Sequence, residues 1–285
     1  MPFLNRDNAS IYYEDTGAGE PVVAVHGLIE NTAYWNLSGI TGRLTMAGYR
    51  VAAMDMRGHG RTVTAGEPAG DDAETVAADF EALADHLGLG RFYLLTHSTG
   101  GFAASRWAMN NSARLAGLIL TNTSSATSPF PGTKEQRDQF YEKFAASFEK
   151  QTWEQIIEYV KRKPFPFFRG IAETTDNAVM WDKAFEMIRI GDRNRIAAFV
   201  RSFYRDPDMM VAGLKKIACP VLIIVGEKDD LFIEPSRIMA QHIPDCRYVM
   251  FEDIGHMTAI EAPDRLADEL LRFLTAHPVN RADTA

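Results

Sequence analysis

The segment Leu94-Leu95-Thr96-His97-Ser98-Thr99-Gly100-Gly101 runs an apolar stretch straight into a small, polar turn with a serine at its tip, an arrangement that can present a nucleophilic hydroxyl. A serine at the apex of a strand-to-helix turn is driven toward positive φ, and the residues two positions to either side must be small so that the two backbone arms can approach. Gly100 meets that demand. Thr96 stands where the G-x-S-x-G form has its first glycine, and its β-branched side chain requires local room. A serine hydroxyl is a weak nucleophile at neutral pH, so Ser98 needs a base within hydrogen-bond reach. His256 is suited to that role because an imidazole titrates near neutrality and can both accept and return a proton. A carboxylate must then hold the ring in the right tautomer, and Glu227, Asp229 and Asp230 share one polar loop.

Elements that would position these residues are legible as apolar runs. Val22 to Val25 ends in His26-Gly27-Leu28, Val221 to Val225 in Gly226-Glu227-Lys228-Asp229, and Tyr248 to Phe251 in Glu252-Asp253-Ile254-Gly255-His256. Each reads as a strand buried on both faces, as in a parallel sheet, followed by a polar loop. Such loops emerge together at the carboxyl edge, where open α/β sheets bind ligands. Strands are expected near Ser10 to Tyr13, Val22 to Val25, Arg50 to Met54, Phe92 to Thr96, Leu115 to Thr121, Val221 to Val225 and Arg247 to Phe251. Between them, Asp72 to Leu87 carries Val76, Phe80, Leu83, Ala84 and Leu87 at helical spacing. Gly101 to Asn110 and Pro263 to Ala276 also read as helices, the latter with proline near its start. The chain order Ser98, Asp229, His256 matches one serine-hydrolase architecture.

From about Ile11 to about Leu274 the sequence resembles the α/β-hydrolase superfamily. The matching pieces are His26-Gly27 after an early strand, Asp55-Met56-Arg57-Gly58-His59-Gly60-Arg61-Thr62 after the next, the Ser98 elbow, Gly226 with Asp229, and Gly255-His256. The Ser-Thr-Gly-Gly elbow and the Arg-Gly-His-Gly loop look like the cofactor-free haloperoxidase and esterase branch, and the apolar loop after His26-Gly27 looks equally like enol-lactonases and carboxylesterases. The resemblance implies an α/β-hydrolase fold with a mostly parallel central sheet flanked by helices, and assigns the acid to Asp229, three residues after Gly226. Asn122 and Thr123 follow the strand ending at Thr121, so an alternative place for the acid holds no carboxylate. The superfamily pattern also implies oxyanion donors at the backbone N–H groups of Leu28 and Thr99. A serine at position 98 argues against epoxide hydrolases and haloalkane dehalogenases, which use aspartate there. His26, His59 and His97 are read as loop-organising residues.

Between the fifth and sixth parallel strands the strand–helix alternation breaks. Residues 125–206 carry half of the chain's aromatic residues, among them Phe130, Phe140, Phe144, Trp153, Phe165, Phe167, Phe168, Trp181 and Phe203. This segment reads as a helical cap inserted after Thr121, which divides the chain into core residues 1–124, cap 125–206 and core 207–285. Alternating prolines prevent Pro164-Phe165-Pro166-Phe167-Phe168 from forming a regular helix, so it is a candidate pocket loop. Trp153, Phe167, Phe168 and Trp181 are candidate substrate contacts. Glu30, two residues beyond Leu28, either faces solvent or lines the pocket.

Composition narrows the alternatives. A net charge of −8 disfavours nucleic-acid and anionic-membrane partners, and Lys161-Arg162-Lys163 reads as a solvated helix end. No apolar run approaches the roughly 18 residues of a membrane span. The N-terminus lacks a signal-peptide core, so the expected location is cytoplasmic. Cys219 and Cys246 read as small buried side chains, and no histidine or cysteine spacing implies a metal. These features lead to an expected cofactor-independent serine hydrolase acting on a small or medium, largely apolar carboxylic ester or lactone. Carbon–carbon bond hydrolysis, perhydrolysis with haloperoxidase-like activity, and a small-molecule receptor on a hydrolase fold are the alternatives.

Overall fold

The apolar runs form one twisted sheet. The computed structural model describes residues 3–66, 71–125, 132–164, 166–204 and 210–279. Its strands are β1 (Phe3–Arg6), β2 (Ala9–Gly17), β3 (Glu20–Val25), β4 (Tyr49–Met54), β5 (Val63–Thr64), β6 (Phe92–His97), β7 (Leu115–Thr121), β8 (Val221–Gly226) and β9 (Cys246–Phe251). They are ordered β1-β2-β4-β3-β6-β7-β8-β9, with β5 paired to β2. From β4 to β9 the neighbours run parallel, whereas β1, β2 and β5 supply an antiparallel edge. All the loops that carry candidate site residues therefore leave one edge.

Strict alternation along the central strands divides the core into two layers. Val23, Val25, Leu94, Leu118, Leu120, Val221 and Ile223 face one cluster. Val22, Ala24, Leu95, Ile119, Leu222 and Ile224 face the other. The first layer is closed by the helix Ala73–His86 through Val76, Phe80 and Leu83, whose first turn is capped by Asp72 accepting from Thr75 N. The second is closed by the helix Pro263–Ala276 through Leu266, Leu270 and Phe273. Cys219 is buried while Cys246 is half-buried as the first residue of β9, and burial pushes both thiols up to about 12.

Helices Lys134–Lys150, Trp153–Arg162, Arg169–Glu173, Ala178–Ile188 and Arg193–Phe203 lie between β7 and β8. Threonines 133 and 152 open the first two of these with reciprocal capping boxes to Gln136 and Gln155. Their apolar faces form a third cluster of Ala145, Phe148, Ile156, Ile196, Ala197 and Val200, against which Leu28 and Ile29 of the loop after β3 pack. Phe130, Phe165 and Asp206 lie outside the described residues. Among the described residues no helix is long and apolar enough to cross a membrane.

Below the site, a buried ion pair fixes the loop after β4. Arg57 Nε and Nη2 donate to Asp79 Oδ2 and Oδ1 at 2.7 and 3.0 Å, and Arg6 reaches the same carboxylate at 2.6 Å. Asp79 is fully buried and Arg57 nearly so. Removing one partner strands the other charge in a low dielectric, so Asp79→Ala is expected to lower unfolding free energy by about 3–5 kcal/mol. Urea denaturation checks this, with Lys134→Ala, which breaks an exposed pair, expected to leave the midpoint close to wild type.

Candidate active site

Ser98 sits between β6 and the helix Thr99–Asn111 with φ +47° and ψ −115°, in a region that non-glycine residues enter only when the surroundings enforce it. Three hydrogen bonds do so. Ser98 N donates to Thr121 O at 2.9 Å, Gly100 N donates to His26 O at 3.1 Å, and Thr123 Oγ1 donates to Ser98 O at 2.5 Å. A Cβ on Gly100 would lie 2.6 Å from His26 O, so the close approach of the elbow to the loop after β3 requires glycine. Thr96 is accommodated by turning its hydroxyl to Ile119 O at 2.8 Å.

His256 and Asp229 meet from the loops after β9 and β8. His256 Nδ1 lies 2.8 Å from Asp229 Oδ2 and both side chains are buried. The carboxylate accepts from Nδ1–H, which fixes the tautomer and leaves Nε2 with the basic lone pair. Burial opposes charge on His256, and the charge and hydrogen bond of Asp229 more than offset it, so the imidazole is raised above its ordinary range. Asp230 is exposed and paired with Arg169 at 2.8 Å. Glu227 is turned to Asp253 N at 2.9 Å. The two site loops touch directly: a Cβ on Gly226 would stand 2.2 Å from Gly255 O.

The loop after β3 is organised by the histidine that begins it. His26 Nδ1 lies 2.7 Å from Gly27 O, and Nε2 accepts from Met56 N at 2.9 Å; burial holds this ring well below the ordinary imidazole range. Asp55 ties the same loop to the next one, accepting from Thr32 N at 2.6 Å and Arg61 N at 2.7 Å, and burial raises its carboxyl to about 6. His59 turns Nδ1 to Arg57 O at 2.8 Å, and burial lowers it to about 4. The backbone N–H groups of Leu28 and Thr99 have no hydrogen-bond partner among the described residues. Thr99 also begins a helix, whose dipole favours negative charge, and its Oγ1 lies 2.7 Å from Tyr204 Oη.

Of the expected substrate contacts, the structure brings Phe167 to the His256 ring, with centroids 5.0 Å apart. Phe168 and Trp181 stack at 5.9 Å, and Trp181 and Phe185 at 5.0 Å, within the inserted helices. Trp153 donates Nε1–H to Gly191 O at 3.1 Å and packs beside Phe148. Glu30 does not face solvent: it is buried, with Oε2 accepting from Gly27 N at 2.6 Å.

The contacts of several neighbours of the site are absent from the sequence reading. Phe232 stacks on His256 at 5.1 Å, three residues after Asp229 on the same turn, a spacing that could have drawn attention to it. Asn122, in the position noted as lacking a carboxylate, donates Nδ2–H to Asp229 Oδ2 at 2.8 Å and receives the Thr258 hydroxyl. Glu261 accepts from the backbone N–H groups of Gly255 and Met257, at 2.6 and 2.9 Å, on either side of His256. No sequence spacing signals the long-range partners of Asn122. Among the described residues, no group of three or more histidine, cysteine or acidic side chains is placed to hold a metal.

Chain-wide similarity accompanies this geometry. Residues 20–263 match the model of the alpha/beta hydrolase fold family. The chain is 25% identical to a non-heme haloperoxidase of Rhodococcus erythropolis over 96% of this chain and 99% of that protein. It is 29% identical to a 2-hydroxy-6-oxononadienedioate/2-hydroxy-6-oxononatrienedioate hydrolase of Cupriavidus pinatubonensis over 86% and 84%. A thermophilic esterase from Thermogutta terrifontis superposes with a TM-score of 0.79 at 27% identity, covering 95% of each chain. The parallel sheet, the serine at its strand-to-helix turn and the match across most of the chain together make this protein a member of the alpha/beta hydrolase fold family.

Proposed function

We propose that the protein is a cytoplasmic, cofactor-independent serine hydrolase that cleaves a small or medium, largely apolar carboxylic ester or lactone through an acyl-enzyme. The observation that carries this reading is the buried 2.8 Å contact from His256 Nδ1 to Asp229 Oδ2, in a site whose serine holds a φ of +47°. The chemistry follows from the donor set. Ser98 Oγ attacks the carbonyl carbon as its proton passes to His256 Nε2, while Asp229 remains ionised and stabilises the imidazolium. The N–H groups of Leu28 and Thr99 receive the oxyanion; one such donor is worth roughly a hundredfold to a thousandfold in rate. Collapse expels the alcohol, which takes the proton from His256. Water, deprotonated by the same ring, then attacks the acyl carbon and Ser98 leaves with the proton.

Residues 125–206 serve in this reading as a cap between core segments 1–124 and 207–285. Phe167 from the cap and Phe232 from the core flank His256, which supports an apolar group beside the scissile bond. Relatives named as haloperoxidases support a second use of the same acyl-enzyme, in which hydrogen peroxide replaces water and leaves with the acyl group as a peracid. The relative named for 2-hydroxy-6-oxononadienedioate hydrolysis supports a carbon–carbon bond substrate on the same groups. A receptor would bind such ligands without rapid multiple turnover.

An ester and lactone panel tests the reading. Ser98→Ala is expected to abolish turnover while leaving the circular dichroism spectrum and melting temperature close to wild type; wild-type turnover in the folded variant contradicts the assignment. Asp229→Asn is expected to lower kcat by about three to four orders of magnitude, whereas Asp230→Asn leaves it nearly unchanged. Because the base must be neutral, kcat/KM rises with pH through the raised pKa of His256, and loss of the Asp229 carboxylate moves that midpoint downward. Phe167→Ala is expected to reorder the efficiencies for esters of different acyl size, by roughly 1–3 kcal/mol per methylene-scale contact. A lowered melting temperature with an unchanged order assigns Phe167 to packing alone.

A further inference from the structure

The loop that carries His256 is pressed between two neighbours, backbone against backbone, at glycines. On one side stands Gly226 at the end of β8, where Gly255 O fills the space a Cβ would need, and the same carbonyl accepts from Asn122 Nδ2–H at 3.2 Å. On the other side stands Gly170 of the inserted helix Arg169–Glu173. A Cβ built on Gly255 would lie 2.8 Å from both Gly170 N and Gly170 Cα, and one built on Gly170 would lie 2.5 Å from Gly255 N and collide with Glu261 Oε2. Main chains approach this closely only where no side chain intervenes.

Glu261 joins these surfaces. It is more than nine-tenths buried, and its two oxygens are divided between the peptide groups that flank the base: Oε2 accepts from Gly255 N at 2.6 Å and Oε1 from Met257 N at 2.9 Å. A chain gripped just before and just after His256 has little freedom to turn the imidazole away from Asp229. The helix Thr258–Glu261 that carries the carboxylate is tied to the core, because Ala259 N donates to the oxygen of the fully buried Tyr34 at 3.2 Å. The inserted helix is tied as well, with Arg169 Nη1 donating to Asp230 Oδ2 at 2.8 Å and Lys228 Nζ 3.4 Å from Glu173. Three residues before Gly170, Phe167 meets the His256 ring, so one short segment touches the base loop by its backbone and the base by a side chain.

We infer that Glu261 is a positioning residue for His256 and that Gly170 seats the inserted helices on it, so that the base and Phe167 keep one register. This rests on the serine-hydrolase reading above, which supplies the base whose position matters. Glu261 acts through the peptide groups of Gly255 and Met257 and touches no reacting atom. Removing one of its acceptor oxygens, or adding a methyl group at Gly170, displaces the same carboxylate and frees the same loop. The imidazole then spends part of its time out of line with Asp229 and Ser98, which slows chemistry while substrate binding is kept.

Two measurements on the full chain test this. Glu261→Gln keeps the side-chain volume but turns an amide N–H2 toward one of the two peptide N–H groups, and it is expected to lower kcat for p-nitrophenyl butyrate by about tenfold to a hundredfold with KM nearly unchanged. Gly170→Ala is expected to do the same, and the double variant to be no slower than the slower single variant, since both changes act on one carboxylate. Wild-type kcat in either folded single variant, or losses that multiply in the double variant, overturns the inference; where one single variant does not fold by circular dichroism, the other decides. In the second measurement, the proton spectrum of the His256 Nδ1–H held by Asp229 is expected to shift or broaden in each folded single variant relative to wild type. An unchanged signal together with a lowered melting temperature assigns Glu261 to stability alone and overturns the inference. The spectrum needs no turnover, so it separates failure of this inference from failure of the hydrolase reading, which the Ser98→Ala assay reports.

Discussion

The backbone of Ser98 is the constraint on which the site depends. Holding a non-glycine residue at φ +47° costs of order 1–3 kcal/mol, and that cost is offset because the ends of two neighbouring strands, β3 and β7, grip the turn. Thr121 O accepts from its N–H, Thr123 Oγ1 donates to its carbonyl, and His26 O accepts from the N–H of Gly100. The same bonds bring the ends of β3, β6 and β7 together. Strain at one residue and convergence of three loops are thus a single structural fact. Asn122, itself at φ +48°, extends the chain of contacts from β7 to Asp229.

Charge is concentrated around His256. Asp229, Glu30 and Glu261 all favour its protonated form, and each carboxylate accepts hydrogen bonds that hold a site loop in place. Oδ1 of Asp229 is buried without a partner among the described residues, so its carboxylate gains most when the neighbouring ring becomes cationic. Phe232 stacks its face on that ring and presents negative π-density to it, while Phe167 lies tilted beside it.

Most of the sheet could be read from the chain because a strand buried on both faces must be continuously apolar, as Val22–Val25, Leu115–Leu120 and Val221–Val225 are. β1 escaped because its Asn5 and Arg6 belong to a half-exposed edge hairpin. β2 runs past Tyr13 to Gly17 because Asp15 pairs with Arg50 of β4 across the ladder. The placement of Ser98, Asp229 and His256 beyond β6, β8 and β9 was legible because each follows an apolar run. Asn122 was not, since its contact with Asp229 joins loops far apart in sequence, and Glu261 was not, since no pattern marks a carboxylate that folds back on the N–H groups of Gly255 and Met257. Glu30 was visible as a residue, but whether it faced solvent or the interior was not, because the hydrogen bond from Gly27 N that turns its carboxylate inward depends on the local course of the loop.

The central claim, that Ser98 is the nucleophile of an acyl-transfer site oriented by His256 and Asp229, is tested most directly by trapping. Incubation with a p-nitrophenyl alkylphosphonate, followed by intact-mass and peptide mass spectrometry, is expected to yield one phosphonyl adduct per chain, located on Ser98, with loss of esterase activity in step with labelling. Complete inactivation with the adduct on another residue, or full ester turnover by a protein that never labels at Ser98, would contradict the account.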